Sequence, residues 1–372
     1  MLRFAAIFAV LVHHVLNFRQ PGSWWAALLI RPGWTGVDLF FVLSGFLISG
    51  LLFTEFQKTG QIRFRRFAIR RALKLYPALY AVVVAVLLHR LVRPGDMGLQ
   101  DIVTPFLHDV LFVQSYLPGT YGHFWSLSVE EHFYVLLPLT LYLLMRRVRG
   151  AVRDPFRPLP GIFLGVAAGC LGARLVHALM VQPYHYQTHL FYSHFRLDSL
   201  LFGVVLRYWW QFHPERVRGC LERFGGYLVP VSLVLILPAF VLEQSNPFNY
   251  TMGLTCFYLG YGGLLIAFVR RSLPRAGVSG FLLRECSYVG RHSYSIYLFH
   301  VPLTYQLRNH GYLRGWVGVP LYLAASIVAG IVLAKLIELP VLRLRDRFFP
   351  ANESNRGIPR ETVPEMAMAA GR

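Results

Sequence analysis

Charge is scarce in this chain, and acidic charge is scarcest. Only 15% of its 372 residues are charged, with 18 Asp and Glu against 37 Lys and Arg. Soluble domains carry roughly 25% charged residues. Here 55% of the chain is hydrophobic, and a soluble protein of this size has no place for so much apolar surface. The class is therefore a polytopic membrane protein, all-α. Cysteine is also rare. Cys170, Cys220, Cys256 and Cys286 are widely separated. Without a CxxC pair they indicate neither a zinc site nor a disulfide framework, and they read as small buried hydrophobes. No small-residue cleavage site follows the first apolar segment, so no cleavable signal peptide is expected. No internal repeat relates the two halves. The net charge of +19 does not point to nucleic acid, because the basic residues fall in short loops between apolar runs, which is a topology pattern.

Runs long enough to cross about 30 Å of hydrocarbon fall near 3–19, 35–54, 72–92, 125–145, 160–181, 192–211, 226–243, 250–270, 290–308 and 316–340. That predicts about ten transmembrane helices. The sixth and ninth runs carry several polar residues and should face other helices. With the N-terminus in the cytoplasm, the inner segments hold 28 Lys and Arg and the outer segments six. This imbalance places both termini inside. One domain is expected over 1–349, with a polar, Pro- and Glu-bearing cytoplasmic tail over 350–372, read as disordered. Asn249-Tyr250-Thr251 matches a glycosylation sequon.

The polar residues inside the runs carry the functional signal. Residues 1–17, MLRFAAIFAVLVHHVLN, are apolar except at Arg3, His13, His14 and Asn17. A helix rises about 1.5 Å per residue, so His14 stands roughly 16 Å above Arg3, past mid-membrane. Ionisable residues at such depth mostly line functional cavities, and imidazole accepts a proton near neutral pH. The bland alternative is that His13 and His14 cap the helix at the outer interface. Asp38, near the outer end of the second run, either orients a neutral His14 by accepting its second ring N–H or caps its own helix. Gly36, Gly45 and Gly50 allow close helix approach. Arg66, Arg70 and Lys74 are four apart, and Arg71 and Lys74 three apart, so they share a helix face. Such a cluster at a cytoplasmic helix entrance suits a multiply phosphorylated ligand or anionic lipid headgroups. The outer stretch 93–124 contains His108, Asp109 and Tyr121 but little periodicity. Ser126, Ser128, Glu130 and Glu131 open the fourth run. Arg196 and Asp198, two apart in the sixth run, should each pair with another helix. The ninth run adds Tyr294, Tyr297 and His300.

These elements, in this order, resemble the integral-membrane acyltransferase-3 family over about residues 2–340. Arg3 and His14 match its Arg-x10-His pattern, and GWTGVDLFFVLSGFLIS matches its second-span signature. RRALKLYP and FWSLSVEEHFY resemble its RRxxRxxP and WSLxxEEQFY elements. HFRLDSLLFG and SYSIYLFHVPL resemble its later R-x-D and Y-S-I-Y-L-x-H elements. Three departures stand out. The arginine lies at position 3, so a shortened first helix or a displaced start is expected. Lys74 replaces the usual Arg, a point charge for a bidentate fork, and His132 replaces Gln. No hydrolase-like outer domain is expected, so the membrane unit should handle its acceptor alone.

The resemblance implies an O-acyltransferase in the bacterial inner membrane, moving acetyl from cytoplasmic acetyl-CoA to a hydroxyl of a carbohydrate or lipid-linked sugar. It implies a CoA site at Arg3, Arg66, Arg70, Arg71 and Lys74, and catalytic roles for His14, Asp38, Glu130 and Glu131. Ser126, Tyr297 and His300 become oxyanion or acceptor-side candidates. It implies no metal. An acyl-histidine route remains an alternative to direct transfer. A proton-coupled transporter is the rival class, since buried His, Asp, Glu and Arg also describe one.

Overall fold

A computed structural model describes residues 1–16, 31–147, 154–271, 277–313 and 317–350. Every regular element among these residues is a helix, as a hydrocarbon environment demands, because a helix satisfies its backbone polar groups within one segment. The helices are α1 (Leu2–Leu16), α2 (Gly36–Thr59), α3 (Phe64–Val92), α4 (Leu99–Val110), α5 (Trp125–Arg147), α6 (Leu159–Met180) and α7 (Leu197–Phe212). They continue as α8 (Pro214–Ile236), α9 (Met252–Arg270), α10 (Gly277–Arg291), α11 (Ser293–Asn309), α12 (Gly318–Leu333) and α13 (Leu339–Phe348). The expected tail lies outside the described residues beyond Pro350, as do Asn17, Arg19 and Arg314.

Among the described residues six helices are long and apolar enough to cross a membrane, or seven if the bent pair Pro214–Phe224 and Leu228–Val241 counts as one. That is fewer than the ten expected. The shortfall has a physical cause. α1, α7 and α11 have 15, 16 and 17 residues, roughly 23–26 Å of helix. α7 and α11 lie inside the bundle, with Asp198, Ser199, His300 and Thr304 buried. Helices shielded by protein need not match the hydrocarbon thickness with their own apolar length. The bent pair turns by 83° near Gly225 and Gly226, the residues that most readily interrupt a helix.

α2 and α7 form the tightest crossing. A Cβ at Gly45 would overlap the Leu200 carbonyl oxygen, and one at Gly203 would overlap that of Val42. Only glycine permits this contact, as the small residues of the second run predict. α2 stops at Gly60, whose φ of 69° is left-handed and whose N–H returns to Phe56 O, a glycine C-cap. α1 packs against α2, α10, α11 and α12, which buries one face of the opening stretch, with Ala6, Ile7, Val10 and Leu11, in the bundle. The stretch 93–124, which showed no clear period, contains α4. Its polar ends and internal Pro105 obscure a two-sided helix packed on α3.

Candidate active site

The half-buried His14 meets the buried His123 and His300 in one cluster. The His300 ring centroid lies 4.8 Å from that of His14 and 4.8 Å from that of His123, and His14 lies 6.4 Å from His123. They come from three places: α1, the 3-10 turn Gly122–Phe124 before α5, and α11. His300 is fully buried and His123 is 6% exposed. His14 Nδ1 bonds to Val10 O at 2.9 Å, one turn back along its own helix. A carbonyl only accepts, so the proton sits on Nδ1 and the neutral ring offers Nε2 as a lone pair. Among the described residues no group of three or more His, Cys, Asp or Glu side chains is placed to hold a metal ion.

Asp38 is not the group that orients His14. Its Oδ1 accepts from Arg196 Nη2 at 2.7 Å, and both side chains are almost fully buried. Its side chain does not cap α2 either. The reason is electrostatic. Arg196 is buried between the rings of Phe41 and Trp125, and a buried cation needs an anion beside it. Asp198 pairs in the same way with Arg174 at 2.5 Å. Arg196 and Asp198 thus each pair with another helix, tying α7 to α2 and α6. Val10 O takes the role that the sequence offered to Asp38.

The acidic pair divides between two neighbours. Glu130 accepts from Ser44 Oγ and Tyr134 Oη, each at 2.8 Å, with Arg71 Nη2 at 3.6 Å. Arg71 also bonds to Tyr134 Oη and lies over its ring, 3.9 Å from the centroid. Glu131 accepts from Tyr76 Oη. Neither carboxylate bonds to the imidazole cluster. Ser126 Oγ lies 2.7 Å from Tyr297 Oη, which donates to His123 O at 2.6 Å.

The basic residues form a second cluster. Arg66 holds Glu55 at 2.5 Å, and Arg70 holds Asp346 at 3.0 Å and the Phe349 carbonyl. Both belong to ion pairs. Deeper in, Arg3, Arg71 and Lys74 lie within electrostatic reach of one another, with Glu130 and Glu338 nearby. Arg3 Nε donates to Ser293 Oγ at 3.1 Å. Lys74 makes no ion pair among the described residues, and Arg71 Nε is buried without a hydrogen-bond partner. Three close cations with two carboxylates leave an excess of positive charge and an unused donor, which fits a phosphorylated ligand.

Sequence reasoning passed over His123. It stands one residue before the FWSL motif, in a stretch without period, and nothing local marks it. Its one available signal was a third histidine close before a motif that opens at the outer side, the side where His14 and His300 also lie in the predicted topology.

An all-helical membrane bundle with a half-buried, base-configured imidazole and a cationic cluster is the class of protein this architecture defines. Comparison with known proteins narrows it. The family profile described as "Acyltransferase domain" matches residues 1–335, and the chain belongs to that family, the acyltransferase-3 family. It is 30% identical to the peptidoglycan O-acetyltransferase OatA of Listeria monocytogenes, over 91% of this chain and 54% of that protein. It is 26% identical to a putative O-acetyltransferase of Staphylococcus aureus, over 91% of this chain and 56% of that protein. The O-acetyltransferase OatA of Staphylococcus aureus is 24% identical over 97% of this chain and 60% of its own length. The chain thus spans little more than half the length of these relatives. No solved structure matches.

Proposed function

We propose that this protein is an O-acetyltransferase of the bacterial inner membrane. It takes acetyl from cytoplasmic acetyl-CoA and passes it to a carbohydrate hydroxyl on the outer side, with peptidoglycan the first acceptor to test. Both termini then lie in the cytoplasm. The observation that carries the reading is the His14 tautomer. The Val10 carbonyl holds the proton on Nδ1, so Nε2 is a lone pair inside the imidazole cluster, ready to take a hydroxyl proton. As His14 removes that proton, the acceptor oxygen bonds to the thioester carbonyl carbon. The C–S bond then breaks, and the imidazolium returns its proton to the leaving thiolate. Ester and free thiol result, and no external proton or electron is required.

Arg3, Arg71 and Lys74 are the residues that would hold the CoA phosphates, by charge-assisted hydrogen bonds. Arg66 and Arg70 serve mainly to anchor α3 through Glu55 and Asp346. Glu130 and Glu131 are positioning residues. Glu130 orients Arg71 directly and through Tyr134, and Glu131 fixes Tyr76. Asp38 holds α7 against α2 through Arg196.

The test is direct. Protein reconstituted in liposomes receives acetyl-CoA on the side of the basic loops and soluble peptidoglycan strands on the other. Mass spectrometry should find new acetyl esters on the glycan. Glycan that stays unmodified while acetyl-CoA remains intact would overturn the reading.

A further inference from the structure

The three clustered imidazoles are in different hydrogen-bonding states. His14 Nδ1 donates to Val10 O, and His300 Nδ1 donates to Tyr297 O at 2.6 Å. Both neutral rings therefore present a lone pair at Nε2. Neither can offer a proton to a developing negative charge. The Tyr297 hydroxyl proton goes to His123 O, so the Ser126 hydroxyl must be the donor in the contact between them. Both of those protons are committed, and Ser126, Tyr297 and His300 are left without a free donor.

His123 differs. Among the described residues neither of its ring nitrogens has a hydrogen bond of good geometry, although the side chain is only 6% exposed; the Leu298 and Tyr297 carbonyls lie near the ring without forming one. A neutral imidazole always carries one N–H. A buried ring donor thus stands without a well-formed hydrogen bond, in a ring whose neighbours are the lone-pair faces of His300 and His14. An unpaired buried donor destabilises a fold, unless a ligand completes it. The backbone of His123 is held in place through its carbonyl, by Tyr297 and through it Ser126.

We propose that His123 is a catalytic residue, whose ring N–H stabilises the oxyanion formed beside His14. The inference rests on the acyl-transfer reading above. When the acceptor oxygen, having lost its proton to His14 Nε2, bonds to the carbonyl carbon, the C=O electron pair moves onto the carbonyl oxygen. The His123 N–H hydrogen-bonds that oxygen. The pair then returns, the C–S bond breaks, and the thiolate is protonated by His14. Oxyanion donors act in this way because they are fixed before charge develops.

The experiment uses the full chain in detergent, with acetyl-CoA and soluble peptidoglycan strands as probes and thiol release as the signal. His123→Leu removes the donor, and His123→Gln keeps an N–H without a titrating ring. His123→Leu should lower kcat by about a hundred- to a thousandfold, with the acetyl-CoA KM little changed. His123→Gln should recover most of that loss. In both, the pH profile should keep its wild-type shape, because His14 remains the base. A His123→Leu kcat within about threefold of wild type overturns the proposal. So does a His123→Gln variant as inactive as the Leu one, or a lost limb of the pH profile, since either means that the ring acts as a base. Should the Leu variant fail to fold, the Gln variant decides alone on kcat and profile shape. Wild-type protein that releases no thiol sinks the acyl-transfer reading itself. An active wild type with a dead His14→Ala and a fully active His123→Leu sinks only the donor role.

Discussion

The imidazole cluster and the cationic cluster both lie in the same helix bundle, yet they meet their hydrogen-bonding needs differently. Among the described residues the His123 nitrogens and His300 Nε2 have no hydrogen bond of good geometry. In the cationic cluster Arg66 is occupied by Glu55 and Arg70 by Asp346, while Arg71 touches Glu130 and Tyr134 but keeps Nε unused. Neutral rings can wait unpaired at moderate cost, whereas a bare charge in the same surroundings costs far more. The difference teaches where chemistry and where binding can reside. The neutral region is poised for proton transfer. The charged region must be held by carboxylates until an anion competes for it, so its specificity lies in the cations least engaged.

The largest effect that could break this contrast comes from His14→Ala. Transfer should fall to background while expression and membrane insertion persist, because one imidazole does not nucleate the bundle. Normal turnover in that variant would remove the base from the neutral region. His13→Ala should be milder, since it points about 100° away round α1.

Sidedness comes next. If the cationic region opens to the cytoplasm, a membrane-impermeant thiol reagent on intact cells should label Met97→Cys and spare Thr59→Cys; both positions are exposed. The reverse pattern would invert the topology and detach the donor from its cations.

Within the cationic region, Arg71→Ala should raise the acetyl-CoA KM. Losing one charge-assisted contact costs on the order of 1.5–3 kcal/mol, roughly ten- to a hundredfold in affinity. Arg70→Ala should change KM only a few-fold, because Asp346 already neutralises it. Lys74→Arg should be neutral or better, restoring a bidentate fork. Equal KM shifts for Arg70→Ala and Arg71→Ala would erase the distinction between engaged and available cations.

The smallest effect concerns an intermediate case outside the spans. Asp109, at the end of α4, is fully buried, accepts the Thr120 N–H at 2.9 Å and leaves Oδ1 unpaired. Burial raises its pKa from 3.8 to about 6. A carboxyl raised on folding adds stability that is complete below its unfolded pKa and lost as pH rises through the folded one. Moving from pH 7.5 to 5 should therefore stabilise wild type over Asp109→Asn by about 1 kcal/mol. Thermal unfolding of both proteins at the two pH values measures the difference, and parallel shifts would show that Asp109 does not titrate there.

The sequence by itself determined the membrane class, the all-helical build and the family. Scarce charge, apolar runs and six ordered motifs are local properties that no packing can reverse. It also determined that Arg196 and Asp198 needed partners on other helices, since two residues apart on one helix they face away from each other. Which partners they took was decided only in three dimensions. Asp38 went to Arg196 rather than His14 because a buried guanidinium demands an anion more strongly than an imidazole already bonded to its own helix carbonyl. Glu130 and Glu131, adjacent in sequence, point about 100° apart on α5 and so serve Arg71 and Tyr76 separately. His123 carried no local mark at all. Its place beside His14 and His300 exists only because α1, α11 and the turn before α5 converge, and its unpaired nitrogens are a property of that convergence.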